Sequence, residues 1–193
     1  MVMPAAIPPS PVRWTRAMLE ALPDDGQRHE IIDGVHYVTP SPALPHQYVV
    51  GELLGALFIY LRAEPIGWAL TSPSDIELAP DTIVQPDILV LPRTSDRRPR
   101  SWAEGGLPIL VIEVISPSSR SRDRIVKRPR YQRAGIAEYW IVDIESRLVE
   151  RWAQGDERPE IVTGVLRWLP HGATSALAIE LEPIFAAVSE ESE

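Results

Sequence analysis

"LPILVIEVISPSS", residues 107–119, is apolar enough to be a strand buried on both faces, yet it carries a glutamate, Glu113, at its centre. Short apolar runs bounded by turn-forming residues mark strands covered on both sides. An ionised carboxylate in such a place is costly unless it is paired, neutralised by a shifted pKa, or bound to a cation. A second run of this kind, "IVQPDILVLP" over residues 83–92, holds Asp87 and reads as one buried strand introduced through Pro86. Consecutive strands are commonly neighbours, which lets the carboxylates of Asp87 and Glu113 converge.

Two readings of this acid pair follow from the residues, and both stay open at this point. Hard carboxylate oxygens suit Mg²⁺, which takes one or two of them together with water and substrate phosphate. Alternatively, each acid is a separate strand residue neutralised by an arginine from the 93–133 region.

Working outward, Thr15 caps a short helix through Leu22, and "HEIIDGVHYV" reads as a hairpin around Asp33-Gly34. Val49, Val50, Leu53, Leu54, Leu57, Phe58 and Leu61 fall at helical spacing and predict a long helix opened by His46. Short strands are expected over 67–78, a polar loop over 93–106, and a helix within 120–134 closed by Gly135. "EYWIVD" is a further core strand, followed by a meander and a last helical turn at "EPIFAAV". Pro129 predicts that the 120–134 helix either starts near residue 125 or bends, because proline is tolerated only in a helix's first turn. The order predicts an α/β fold: a mixed β-sheet flanked by helices, with an added N-terminal hairpin and C-terminal strands. A flexible proline-rich arm over residues 1–13 and one domain over 14–193 are expected.

With 193 residues and no cysteine, the chain can bury a proper core but cannot form disulfides, zinc–thiolate sites or a cysteine nucleophile. No apolar run approaches the ~18 residues that span a membrane, and the proline-broken start lacks the basic segment of a signal peptide. A soluble, cytoplasmic protein is the expectation. The net charge of −8 is unevenly spread. Residues 93–133 hold eleven Lys/Arg against four acids, whereas the rest holds eight against twenty-three. That basic segment is either a phosphate-facing surface or an ordinary solvated loop and helix face. Among nineteen basic residues Lys127 is the only lysine.

The strings "LPDDGQRHEIIDG", "VQPDILVLP", "PILVIEVISPSSRSRDRIVK" and "YQRAGIAEYWIVD", with His46 opening a helix between the first two, carry a resemblance. Together they resemble the PD-(D/E)XK nuclease superfamily and, within it, the Uma-two family, over about Trp14 to Asp143. The resemblance implies a restriction-endonuclease-like fold and metal-dependent hydrolysis of phosphodiester bonds in DNA. Asp87 and Glu113, with the Val114 carbonyl, would hold Mg²⁺ or Mn²⁺, polarising the scissile phosphate and acidifying an attacking water. The superfamily's lysine is expected two residues after the glutamate, where this chain has Ile115. Related families supply it from the next helix, which implicates Lys127. Asp123, Lys127 and Tyr131 lie at i, i+4 and i+8 and share one helical face.

Glu30 and His46 occupy family-like positions as cleft residues, although His46 also suits a plain helix start. Gln85 is a candidate for positioning a water, or simply a polar residue at a strand entrance. Arg120, Arg122, Arg124, Arg128 and Arg130 are candidate DNA phosphate contacts, which give salt-sensitive affinity without sequence information. Three functions compete: a nuclease, a nuclease-fold protein that binds nucleic acid or a protein without cutting, and a structural homo-oligomer. A homodimer would suit double-strand cutting.

Overall fold

The structure is a computed structural model and describes residues 12–116 and 119–188. The greater part of the expected arm, residues 1–11, lies outside the described residues, as do 117 and 118 of the opening stretch.

Six strands form the central sheet: β3 (Gly67–Thr71), β6 (Ile88–Pro92), β7 (Leu110–Ile115), β8 (Glu138–Asp143), β9 (Leu148–Ala153) and β10 (Glu160–Val162). Their order is β10-β9-β8-β7-β6-β3, and only β7 and β8 run parallel. A parallel pair needs a crossover rather than a hairpin. Here it contains a π-helical segment, Arg122–Lys127, running into α4 (Arg128–Ala134).

A second sheet stands over one face. It joins the hairpin of β1 (Arg28–Ile32) and β2 (Val35–Thr39) to β4 (Ile76–Ala79) and β5 (Thr82–Val84), in the order β2-β1-β5-β4. The expected hairpin is therefore not an appendage but half of a four-stranded layer. Its turn residues Asp33 and Gly34 have φ of 53° and 77°, both positive as the tight two-residue hairpin turn demands. The expected single strand "IVQPDILVLP" is corrected to two. β5 belongs to the small sheet and β6 to the central one, and Gln85-Pro86-Asp87 carries the chain between them.

The apolar run of β7 now has its explanation. Alternate side chains point to opposite faces of a strand. Leu110, Ile112 and Val114 pack in one cluster with Val49, Leu53 and Leu57 of α2 (Leu44–Ala63) and with Trp140 and Trp168. Val111 and Ile115 pack in the other with Ile32, Ile76, Val84, Tyr131 and Tyr139. Glu113 shares the parity of Val111 and Ile115, so it lies between the central sheet and the layer made by β1 and the crossover.

The short helix α1 (Arg16–Glu20) is capped by Thr15, whose hydroxyl accepts from Met18 N. Part of the loop after β6 forms one turn, α3 (Trp102–Gly105). The expected C-terminal meander divides: β9 and β10 continue the central sheet, whereas β11 (Val165–Trp168) and β12 (Leu177–Glu180) pair only with each other, before α5 (Leu181–Ala186).

Pro129 sits in the first turn of α4, directly after the π-helical segment. It has no N–H to give to the preceding turn. The Arg124 carbonyl, which an i→i+5 bond from position 129 would have used, accepts instead from Arg128 Nε at 3.2 Å. Gly135 ends α4 at φ 88°, the left-handed C-cap expected of glycine.

Candidate active site

Four carboxylates and one ammonium are buried together between the layers: Glu30, Asp87, Glu113 and Asp123 with Lys127, none more than 2% exposed. They come from four places in the chain, and the topology brings them together. Glu30 comes from β1, Asp87 from the step between the sheets, Glu113 from β7, and Asp123 and Lys127 from the crossover.

Lys127 Nζ donates to Glu113 Oε1 at 2.8 Å and lies 2.7 Å from Glu30 Oε1 and 3.6 Å from Asp123 Oδ1. Tyr131, one turn further on, donates its hydroxyl to the same Glu113 Oε1 at 2.9 Å. Burial acts first on Glu113 and pushes its carboxyl above the ordinary range. Lys127 opposes this, and Asp123, Asp87 and Glu30 add to it. Burial alone would lower the Lys127 pKa, but Glu113, Glu30 and Asp123 together raise it above the ordinary value, so the ammonium stays charged. Ile115, where the superfamily lysine is expected, is buried in the apolar cluster.

Asp87 is held on both oxygens. Oδ2 accepts from Val114 N at 2.8 Å, across the β6–β7 pair, and His46 Nε2 lies 3.2 Å from it. Oδ1 accepts from Arg28 Nη2 at 2.8 Å. Burial pushes the Asp87 pKa up, but the His46 hydrogen bond and the Arg28 guanidinium outweigh it and hold it down to about 2. The other ring nitrogen of His46, Nδ1, is buried without a hydrogen-bond partner among the described residues. His46 does begin the long helix, in the first turn of α2, and from there it also reaches the site.

Asp87, Glu113, Asp123 and Lys127 line an open cavity of about 220 Å³, with Arg28, Thr39, His46, Ser119 and Arg122 on its walls, while Glu30 contacts Lys127 without lining it. A larger cleft of about 640 Å³ runs along β3 past Trp68 and Trp102, away from the acids. Gln85 sits behind the site: its backbone N–H donates to Glu30 Oε1 at 2.8 Å and its side chain to Asp75.

Of the five arginines expected at DNA phosphates, only Arg122 lines the cavity, with Nη2 2.6 Å from Thr39 Oγ1. Arg120 pairs with Asp143 and Glu145, and Arg124 with Asp143 and Glu150. Arg128 lies over the Trp152 ring, and Arg130 is paired with Asp33. The alternative in which each strand acid takes an arginine from 93–133 is corrected. Glu113 takes Lys127, and the arginine on Asp87 is Arg28, from β1. Sequence reasoning passed over Arg28. Its signal is the strand alternation that puts residues 28 and 30 on one face, beside the acid already noticed.

Among the described residues no group of three or more His, Asp or Glu side chains is disposed to hold a metal ion. Two carboxylates are nevertheless the donor set that Mg²⁺ uses when water and phosphate complete its shell. Glu30 Oε2 and Asp123 Oδ1 are buried oxygens without a hydrogen-bond partner among the described residues. Arg28, Arg122 and Lys127 face these four acids, so the fit of a hard cation rests on the oxygen donors of Asp87 and Glu113 at the cavity and not on unmatched charge.

The mixed sheet flanked by helices is a fold shared with a known structure. A crystal structure of "a putative nuclease belonging to DUF820 from Anabaena variabilis" superposes with a TM-score of 0.71 at 21% identity, covering 91% of this chain and 99% of that one. The family described as "Uma2: Putative restriction endonuclease" matches residues 16–182, and the chain belongs to that family. No curated protein matches. No helix among the described residues is long and apolar enough to cross a membrane.

Proposed function

We propose that the protein is a metal-dependent endonuclease that hydrolyses phosphodiester bonds in DNA, with residues 14–193 acting as one domain. The observation that carries this reading is the buried Lys127 ammonium 2.8 Å from Glu113, in the cavity that Asp87 also lines. It makes good the absence of lysine at position 115 from a different element.

Asp87, Glu113 and the Val114 carbonyl would hold the cation, Mg²⁺ or Mn²⁺. When bound there it would supply Lewis-acid polarisation of the phosphate and acidify a water. The other roles belong to the chain. Lys127 fixes Glu113 and places a positive charge where negative charge develops on the phosphate. Tyr131 and Val114 N keep the two carboxylates aimed. His46, its Nε2 against Asp87 Oδ2, orients that carboxylate from the first turn of α2. Glu30 and Asp123 keep Lys127 charged, and Gln85 holds Glu30 in place. Arg122 is the phosphate contact among the crossover arginines.

The test is nicking of supercoiled plasmid with Mg²⁺ or Mn²⁺. Nicking by the wild type and its loss in Asp87→Ala and Glu113→Gln, both still folded, is the expected result. Wild-type rates in either variant would overturn it. A second reading, binding without cutting, is favoured by one observation: both oxygens of Asp87 are already engaged. It predicts salt-sensitive DNA binding that persists in both variants, with no turnover.

A further inference from the structure

Arg28 is a half-buried cavity residue whose hydrogen bonding, like that of Arg122, leaves most of its donors uncommitted. Arg124 and Arg151 each pair with two acids. Arg28 makes one hydrogen bond among those described, from Nη2 to Asp87 Oδ1, although a guanidinium carries five donors. Its side chain is 17% exposed and lines the cavity, so its remaining donors have the cavity before them.

The two oxygens of Asp87 are held unequally. Oδ2 has a backbone N–H and a histidine, and these fix the carboxylate's orientation whatever happens at Oδ1. Oδ1 has Arg28 alone among the described residues. It is the oxygen that can change partner without Asp87 losing its place. A divalent cation at Oδ1 and a guanidinium on the same oxygen repel each other, so the two compete for it. An arginine released at that point stands in the cavity with a planar fork suited to a phosphate diester.

Resting on the nuclease reading, we propose that Arg28 is a placeholder on Asp87 Oδ1 that the catalytic cation displaces, and that the released guanidinium then contacts the DNA phosphate. Asp87 thereby stays paired in the resting protein, and the phosphate contact becomes available only once the cation is seated. The cation and DNA then bind cooperatively through Arg28, because each favours the position of the arginine that the other needs.

The experiment measures Mn²⁺ binding to the full chain by calorimetry, without DNA, for the wild type, Arg28→Gln, Arg28→Lys and Asp87→Asn. A short duplex is then added with Ca²⁺ in place of Mn²⁺. With its competitor removed, Arg28→Gln binds Mn²⁺ about tenfold more tightly than the wild type, within the usual range of site-to-site coupling. It binds the duplex more weakly, with a salt slope reduced by about one. Arg28→Lys keeps the competing charge and a Mn²⁺ affinity near wild type, but loses duplex affinity with the fork, and it serves as the folded control. Mn²⁺ affinity in Arg28→Gln equal to or weaker than wild type overturns the proposal. If Asp87→Asn at the same time abolishes wild-type Mn²⁺ binding, the nuclease reading survives that failure. If neither the wild type nor Arg28→Gln binds Mn²⁺, both fall.

Discussion

Lys127 Nζ lies 2.8 Å from Glu113 Oε1, and the lysine reaches the glutamate from the crossover after the strand, not from the strand itself. The pair is buried, with Lys127 1% and Glu113 2% exposed, so water reaches either partner only through the cavity they line. Removing one member of a buried pair leaves the other's charge uncompensated and typically costs about 3–5 kcal/mol. Lys127→Met is expected to lose stability of that order, because Glu30, Glu113 and Asp123 then face one another without the ammonium. Urea unfolding measures it. A loss below about 1 kcal/mol, the scale of exposed pairs, would contradict the enclosed arrangement.

Tyr131 tests the same carboxylate from its other side. Its hydroxyl donates to Glu113 Oε1 at 2.9 Å, while its ring packs against Tyr139 with centroids 4.8 Å apart. Tyr131→Phe keeps the ring contact and deletes only the hydrogen bond. The expected cost is about 1–3 kcal/mol, as for a buried acceptor that loses a donor. A double-mutant cycle with Glu113→Ala, which removes the acceptor, should recover most of that cost as coupling, and additive effects would show that the hydroxyl acts elsewhere.

Much of this arrangement is legible in the sequence, and the exceptions have physical causes. Glu113 stands out because a carboxylate inside an apolar run needs a partner, and Lys127 because it is the sole lysine, spaced one turn from both Asp123 and Tyr131. The sheet switch at Gln85–Asp87 is hidden because β5 and β6 are both buried and, Thr82 apart, apolar, and local periodicity does not reveal which sheet a buried strand joins. Arg28 is hidden because its partner lies 59 residues away, in the step between the two sheets. The basic charge of 93–133 misleads in the opposite direction. Arg120, Arg124, Arg128 and Arg130 are spent on nearby acids and a ring, a pairing that a count of charges does not register.

Gly67 begins the edge strand β3, opposite Pro92 of β6. A Cβ built there would stand 2.7 Å from the Leu91 carbonyl oxygen and 2.7 Å from Val90 Cγ1. The backbone oxygen cannot swing aside as a flexible side chain would, so β3 itself has to move. Gly67→Ala is expected to destabilise the protein by about 1–3 kcal/mol, the usual cost of overpacking. Gly55→Ala, in α2 with open space at its Cβ, is the control, expected to be neutral or slightly stabilising. Chemical denaturation of the two variants side by side decides the point, and equal midpoints would refute it.

Glu64 ties the end of α2 to the segment before β12, and it gives the stability a pH dependence of definite sign. It accepts from Thr174 N at 3.0 Å, Thr174 Oγ1 at 2.6 Å and Ser175 N at 3.0 Å, and also from the Ser175 hydroxyl. The Ser175 and Thr174 hydrogen bonds pull its pKa from the ordinary 4.5 down to about 2. A carboxyl depressed on folding contributes stability above its unfolded pKa and loses that contribution as pH falls through the folded value. The stability gap between wild type and Glu64→Gln is therefore expected to be widest at neutral pH, to begin closing near pH 4.5, and to be mostly gone near pH 2. Thermal unfolding of both proteins across that range measures the gap. A gap that stays constant on acidification would mean that the bonds to Thr174 and Ser175 do not depend on the carboxylate's charge.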